Sequence, residues 1–472
     1  MPDPNLPTVA LVSLGCPKNL VDSERMLAGL ALAGFAVTDD ADGADLALVN
    51  TCAFIDLARA ESDREIDRLE DLKRAGRLGR ILVVGCMAQR YGRRVLERHP
   101  GVDAVAGLAE RDRLADLCGA VLASRAQAEP LVRVGAHPPA APADRERLRL
   151  TPRHYTYLRI TEGCDNRCAY CAIPEIRGPL RSKPPEEVLA EAREMVADGA
   201  RELVLIGQDT TAYGRDRSDG WTLARLLGAL RREAGAEWIR LLYTHPASFS
   251  GEVIEELAAG LPLVPYVDMP IQHADDALLA SMGRRVTRAG IEDLVGRLRA
   301  AVPGIALRTT FIVGYPGETE AAFGTLLEFV EKVRFDHVGG FLYSREPGTR
   351  AAGLEGQVPR SVALRRWDRL TEAAGRPARE SALRQVGRIL EVRVDGPSHV
   401  KGRLAARHAG QAPEIDSVVL LAEASAKGKA ARGPQRRRLA PGDRLRTRIV
   451  ATDGTDLVGE PLRGGQPGDP TP

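Results

Sequence analysis

Twice along this chain, apolar β-branched runs alternate with amphipathic helical patterns, and no other feature narrows the fold as far. A strand, helix, strand succession buries both sheet faces when the strands are parallel and each connection crosses over. Three such strands open the chain: Thr8–Leu14 (TVALVSL), Asp45–Asn50 (DLALVN) and Ile81–Gly85 (ILVVG), all nearly continuous apolar runs. Helical patterns follow near Val21–Ala33, Asp56–Ala75 and Arg90–Arg98, with Asp22 or Ser23 the expected cap of the first and Glu24 in its opening turn. Residues 7–135 are therefore expected to form an open, doubly wound α/β domain.

Ala136–Arg149 (AHPPAAPADRERLR) is rich in Pro and Ala and then charged, the composition of a linker. Six further strand-then-helix units follow. Their strands are expected near Tyr155–Thr161, Glu202–Gly207, Trp238–Tyr243, Leu263–Met269, Ile305–Val313 and His337–Tyr343. Helices are expected near Pro185–Ala197, Leu223–Ala234, Gly251–Ala259, Arg288–Ala301 and Glu318–Val333. Six units curl into a partial (β/α)6 barrel over residues 150–382. A helix over Ser361–Gln385, expected to break at Pro377, leads to five short strands separated by turn residues, which read as a small antiparallel β-barrel over 384–463. Ala424–Leu439 (ASAKGKAARGPQRRRL) interrupts it as an expected mobile loop.

Seven cysteines in a 472-residue chain, with no run of 18 apolar residues and no leader-like start, point to metal or redox chemistry in the cytoplasm and not to disulfides or a membrane. Cys164, Cys168 and Cys171 share the loop TEGCDNRCAYC (Thr161–Cys171). Structural zinc takes four ligands, usually as two separated pairs, and no second pair is near. A cubane 4Fe-4S cluster held by three cysteines keeps one iron open to a ligand. Zinc remains a second reading and simple packing a third, although Asp, Asn and Arg in the loop speak against packing. The loop follows the first barrel strand, at the carboxyl face where barrel active sites are built.

Cys16, Cys52 and Cys86 lie 36 and 34 residues apart, but each directly follows one of the first three strands. Ligands of open parallel sheets bind beyond the carboxyl ends of the strands, so the three are expected to converge there. A second cluster with three protein ligands explains that placement better than three independent buried thiols. Cys118 differs, because it shares the apolar face of a short helix with Leu114, Leu117 and Leu122 and reads as core. Other strand ends of the barrel are polar or Gly-rich: Gly207 and Gly314 allow close backbone approach, and Gln208 and Gln272 supply amides for a binding mouth. His245 and His273 read as structural, and Asp209 as a carboxylate without an assigned role.

The net charge of +2 hides an asymmetry: Arg384–Arg463 carries 16 Lys and Arg against nine Asp and Glu. That basic end suits RNA, a ribosome or an acidic surface, or is a solvated face. Aromatic residues at 4% do not indicate stacking platforms for single-stranded nucleic acid.

The spacing of Cys164, Cys168 and Cys171, with Tyr170 before the last, resembles the signature of radical S-adenosylmethionine enzymes. The resemblance implies a 4Fe-4S cluster whose open iron chelates S-adenosylmethionine, a 5'-deoxyadenosyl radical that abstracts hydrogen, and Tyr170 beside the adenine. The whole chain, residues 8–463, resembles the methylthiotransferases, with an amino-terminal three-cysteine domain, a radical barrel and a carboxy-terminal TRAM barrel. The segments SLGCPKNLVDSE, NTCAFID, GCMAQRY, GCDNRCAYCAIPEIRGPLRS and APEIDSVVLL are similar to the RimO branch in particular. This implies two 4Fe-4S clusters and conversion of an aspartate of small-subunit ribosomal protein twelve to 3-methylthioaspartate, with an electron-donor protein as partner. The substrate is then the free ribosomal protein or an assembling small subunit. Two other functions compete: a tRNA adenosine methylthiotransferase, and a non-enzymatic iron–sulfur protein that binds RNA or assists ribosome assembly.

Overall fold

The computed structural model describes residues 6–125, 129–422 and 439–462. Its first sheet contains β1 (Thr8–Ser13), β2 (Ala36–Thr38), β3 (Leu46–Thr51), β4 (Arg80–Gly85), β5 (Ala104–Ala106) and β6 (Leu131–Arg133), ordered β2-β1-β3-β4-β5-β6. All five pairings are parallel. The strands alternate their apolar residues between two cores. Ala47, Val49, Ile81 and Val83 pack with Ile66 and Leu69 of the helix Asp56–Arg74, while Leu46, Leu48, Leu82 and Val84 pack with Met26, Leu30 and Cys118 on the opposite face. Helices therefore cover both faces, as a doubly wound sheet requires.

The first helix runs Pro17–Leu32, four residues earlier than the apolar period indicates. Pro17 suits a first turn, where its missing N–H has no helical partner to lose, and Cys16 takes the capping position. Asp22, Ser23 and Glu24 are consequently not its cap. They lie in its second turn and are buried.

The second sheet starts with β7 (Tyr155–Arg159). The two-stranded ribbon β8 (Thr161–Glu162) and β9 (Arg181–Ser182) brackets the cysteine loop. Then come β10 (Glu202–Ile206), β11 (Trp238–Leu241), β12 (Leu263–Asp268), β13 (Ala306–Val313) and β14 (His337–Leu342). Six parallel strands follow one another in chain order without closing, which is a partial barrel. Outward residues such as Leu203, Leu205, Ile239 and Phe311 pack under the helices. Inward residues such as Tyr157, Val204, Ile206 and Tyr266 form a separate core, completed by Val21 from the first helix and Ala412 from the last unit.

That last unit is a closed barrel of β15 (Ile389–Pro397), β16 (Arg403–His408), β17 (Val419–Ala422), β18 (Arg444–Asp453) and β19 (Asp456–Pro461). Four seams are antiparallel and the fifth, β17 on β19, is parallel, so a wholly antiparallel barrel is not what forms. Most of Ala424–Leu439, residues 424–438, lies outside the described residues. The helix leading in, Arg360–Leu383, continues through Pro377. Both halves are pinned: Arg366 bonds Glu318 (2.7 Å) before the proline, and Ser381 bonds Asp336 (2.6 Å) after it.

The two outer units cap opposite ends of the partial barrel. At its amino end, Tyr155 and Tyr157 donate to Glu414 (2.7 and 2.9 Å), Tyr266 donates to Asp416 (2.7 Å), and His337 Nε2 lies 2.9 Å from the Gly410 carbonyl. At its carboxyl end the first domain docks through Arg90, which bonds Glu346 beyond β14 (2.7 Å), and through Lys18, which lies over the Tyr243 ring beyond β11. The stretch 136–149, linker-like in composition, is strapped into this joint. Asp144 and Arg147 are buried, and Arg147 bonds Glu24 (3.0 Å) and the Tyr157 carbonyl (2.9 Å).

Candidate metal centres between two sheets

Cys16, Cys52 and Cys86 converge beyond β1, β3 and β4, and Asn19 ties them together. Its amide nitrogen donates to the carbonyls of Leu14 (3.0 Å) and Thr51 (2.9 Å), and its Oδ1 lies 3.5 Å from Cys86 Sγ. Ser62 bonds both backbone groups of Cys52, accepting from its N–H (3.1 Å) and donating to its carbonyl (3.0 Å). Gly85, at φ +89°, lets the chain turn into Cys86. A Cβ there would fall 2.3 Å from Asn50 Oδ1.

The second trio is held differently. The Cys164 N–H donates to the Gly178 carbonyl (3.1 Å) and the Cys171 N–H to the Cys168 carbonyl (3.1 Å), while the Ala169 N–H reaches the Met282 carbonyl (2.9 Å). Asn166 donates to Asp209 (2.6 Å), which gives that carboxylate a bracing role. Arg284 approaches Cys168 Sγ at 3.7 Å and bonds the Pro270 carbonyl at 2.5 Å. Gly163, at φ +74°, passes so close to Pro179 that a Cβ would sit 1.9 Å from its carbonyl oxygen.

One side chain joins the surroundings of the two trios. Arg177, just past the second loop, donates to Glu162 (3.0 Å), Asn19 Oδ1 (2.6 Å) and Asp22 (3.1 Å), and lies 3.5 Å from Cys86 Sγ. Arg159 extends the network to Asp22 (2.8 Å), Glu162 (2.8 Å) and Asp144 (2.6 Å), and Lys183 joins Asp144 (2.9 Å) to Glu191 (2.6 Å). Burial alone would raise the Glu162 carboxyl, but Arg177 and Arg159 outweigh it and bring its pKa down to about 2.

Thiol acidity divides by environment. Burial pushes Cys86 up to about 12 and Cys164 up to about 11, and also raises Cys52 and Cys171. Cys16 is the exception: burial would raise it too, yet Lys18 and Arg177 together bring it below the ordinary thiol value. Neither trio has the tight spacing of a mononuclear site. Among the described residues, one His/Cys/Asp/Glu group has all its ligand atoms within 4.8 Å of one another, namely Asp67, Glu70 and His99 at the other end of the first sheet. Tetrahedral zinc–thiolate bonds of about 2.3 Å hold their sulfurs roughly 3.8 Å apart. The wider trios, rich in thiol donors with backbone packed around them, fit a polynuclear cluster.

The remaining residues expected in a binding mouth occupy the barrel's carboxyl face. Tyr170 packs beside Ala169, Leu278 and Met282. Gln208 donates to Glu162 (3.3 Å) and leaves its own Oε1 buried without a partner. Gln272 adopts φ +80° and ties the segment beyond β12 to Phe311 of β13 through its backbone. The close approaches at Gly207 and Gly314 are taken up within the protein, by Thr161 and Ala363. His245 and His273 each accept a backbone N–H on Nδ1 (3.2 and 3.0 Å). A groove of about 280 Å³ lined by His337, Ser381 and His408 lies at the opposite end of the barrel, so concavity does not mark the chemistry.

Sequence reasoning missed Lys18, Asn19, Glu162, Arg177 and Arg284. All but Arg284 stand inside or beside the cysteine segments. Charged residues there read as solvent-facing, since charge is seldom buried unless paired.

Comparison with known proteins follows the same three units. Residues 158–330 match the Radical SAM superfamily, residues 8–107 the Uncharacterized protein family UPF0004, and residues 386–462 the TRAM domain. Across 96% of its length the chain is 41% identical to the ribosomal protein uS12 methylthiotransferase RimO of Symbiobacterium thermophilum, covering 90% of that protein. The chain belongs to this methylthiotransferase family. The RimO of Geobacter sulfurreducens is likewise 41% identical, over 96% of this chain and 98% of its own length. Among solved structures, the radical S-adenosylmethionine methyltransferase TsrM from Kitasatospora setae, with cobalamin and a [4Fe-4S] cluster bound, superposes with a TM-score of 0.52 at 17% identity. The match covers 73% of this chain and 77% of that one. The cobalamin-dependent radical enzyme OxsB gives 0.50 at 14% identity, covering 79% and 56%. At such identities these structures share the fold. Membership of an enzyme family sets aside the non-enzymatic reading. None of the described helices is long and apolar enough to cross a membrane.

Proposed function

We propose that this chain methylthiolates an aspartate of ribosomal protein uS12, giving 3-methylthioaspartate. The observation that carries the reading is Arg177, which lies 3.5 Å from Cys86 Sγ and also bonds Glu162, two residues before Cys164, so that one buried seam joins the surroundings of the two trios. Cys164, Cys168 and Cys171 hold one 4Fe-4S cluster, and Cys16, Cys52 and Cys86 hold the other. When bound, the clusters and S-adenosylmethionine supply the hydrogen-abstracting radical, the sulfur and the methyl group. The protein supplies placement: Tyr170, Gly207, Gln208, Gln272 and Gly314 form the S-adenosylmethionine side, and the two domains enclose the substrate side chain between the trios. The first domain roofs the barrel's carboxyl face and restricts water there. The reaction draws electrons from a donor protein in the cytoplasm, and the TRAM barrel contributes RNA contact when uS12 is presented on an assembling subunit.

The test is mass measurement of uS12 from a strain lacking the chain's gene, with and without the chain restored. The expected product carries one methylthio group in place of one aspartate hydrogen. Loss of a methylthio mark from tRNA nucleosides with uS12 unchanged would establish the tRNA reading, which the TRAM domain favours. Iron content gives a second check. The reconstituted chain should hold roughly eight irons, and either triple Cys→Ala variant roughly four.

A further inference from the structure

Lys18 is a buried cation of the site without a carboxylate partner. It is 7% exposed, and its ammonium makes neither a hydrogen bond nor an ion pair among the described residues. It lies over the ring of Tyr243, 3.5 Å from the centroid. The position is doubly unfavourable for positive charge. Lys18 sits in the first turn of the helix Pro17–Leu32, where the backbone dipole is positive, and that turn contains no acidic residue. A cation–π contact compensates only part of the cost of taking an ammonium out of water.

The neighbours are fixed in place. Tyr243 follows β11 at the carboxyl face with φ +57°, a backbone that residues other than glycine seldom adopt. Its N–H donates to Asp268 (3.0 Å), and its carbonyl accepts from the Thr210 N–H (3.0 Å). Glu162 lies within electrostatic range of Lys18, but its charge is already shared between Arg159 and Arg177. Cys16, two residues away, belongs to the proposed cluster. The seam between the trios thus presents a positive charge that no carboxylate pairs, over an aromatic ring held by strained backbone.

We propose that the Lys18 ammonium receives the carboxylate of the side chain that is modified. This rests on the reading above that the acceptor is an aspartate. In aspartate the β carbon is bonded directly to the carboxylate carbon, so fixing the carboxylate also fixes the reacting carbon within the seam. A charge-assisted hydrogen bond in a partly desolvated site selects aspartate over its neutral isostere, asparagine.

The test is binding of uS12, and of uS12 carrying asparagine at the modified position, to the full reconstituted chain without reductant. Wild type, Lys18→Met and Lys18→Arg are compared. Wild type should bind the aspartate protein at least about tenfold tighter than the asparagine protein, a difference of about 1.4 kcal/mol. Lys18→Met should bind both alike, Lys18→Arg should regain part of the preference, and all three should hold the same iron. A preference that survives in Lys18→Met overturns the assignment. So does a preference lost together with half of the iron, because Lys18 then serves the cysteine trio. A wild type that binds neither protein overturns the uS12 reading itself, whereas binding with an unchanged preference in Lys18→Met overturns only the role of Lys18.

Discussion

Cys164, Cys168 and Cys171 come from one loop braced from outside by Asp209, Met282 and Arg284, whereas Cys16, Cys52 and Cys86 come from three strands and are stitched from within by Asn19. The loop's spacing is written into eight consecutive residues and needs only its local frame. The strand-end trio exists only once a parallel sheet has formed, and it leans on buried charge contributed by the neighbouring domain. Local encoding makes the first site robust, and distributed encoding makes the second dependent on the domain interface.

The sharpest way to split the two is by single cysteines. Cys52→Ala and Cys168→Ala should both reduce methylthiolation of uS12 to background. Only Cys168→Ala should also abolish 5'-deoxyadenosine formation from S-adenosylmethionine on reduction with dithionite. If Cys52→Ala abolishes that cleavage as well, the trios are not separable functions.

The arginines beside each trio sharpen the contrast energetically. Arg177→Met removes one of the two arginines paired with buried Glu162 and Asp22 and should cost about 3 kcal/mol, because Arg159 alone is left to pair both carboxylates. Arg284→Met leaves mainly the Pro270 carbonyl unpaired and should cost about 1–3 kcal/mol. Urea denaturation measures both. The acid limb should separate them too. With Glu162 held at about 2, below its ordinary value near 4.5, the stability it contributes is present above pH 4.5 and lost as pH falls toward 2. Arg177→Met raises the folded value and shrinks that acid-sensitive contribution, while Arg284→Met leaves it intact.

The same contrast explains what could be read from the chain. All six barrel strands and their five major helices follow from long apolar periods, and the loop trio from its spacing. The strand-end trio was legible only through topology, since parallel order converts distances of 36 and 34 residues into proximity. Three strands, Ala36–Thr38, Ala104–Ala106 and Leu131–Arg133, escaped because three residues carry no measurable period. Asp22 and Glu24 looked like the acidic start of a helix and are instead interface charges. Asp144 and Arg147 looked like linker. In each case the deciding partner, Arg159, Arg177 or Glu24 itself, lies more than 10 residues away along the chain or in another domain, where no local pattern reaches.

A smaller effect tests the outer bracing of the loop trio. His245, near Thr211 and 4% exposed, is held neutral by burial and by Arg284, Arg285 and Arg215, with its pKa lowered to about 2. The unfolded chain binds a proton there below about pH 6.5 that the folded chain refuses. Stability is therefore complete above that pH and falls as pH is lowered, by about 1.4 kcal/mol per unit for one proton. His245→Asn keeps an acceptor for the Ala247 N–H and removes the titration. Between pH 6.5 and 5 the wild type should lose about 2 kcal/mol that the variant keeps, measured by thermal melts across pH.

The smallest effect concerns the seventh cysteine, which defines what belonging to neither trio means. Cys118 is fully buried with Leu114, Leu117 and Val121 on the face of the first sheet that also holds Met26, and burial pushes its thiol up to about 12, so it stays protonated and inert. Cys118→Ala removes one sulfur from a packed core and should cost about 1 kcal/mol, the scale of deleting one methylene. Iron content and uS12 modification should both match wild type. A variant that lost iron would place a thiol of the β3 and β4 helix-covered face in cluster chemistry, and the division into strand-end ligands and core sulfur would fail at the residue where it is most strictly drawn.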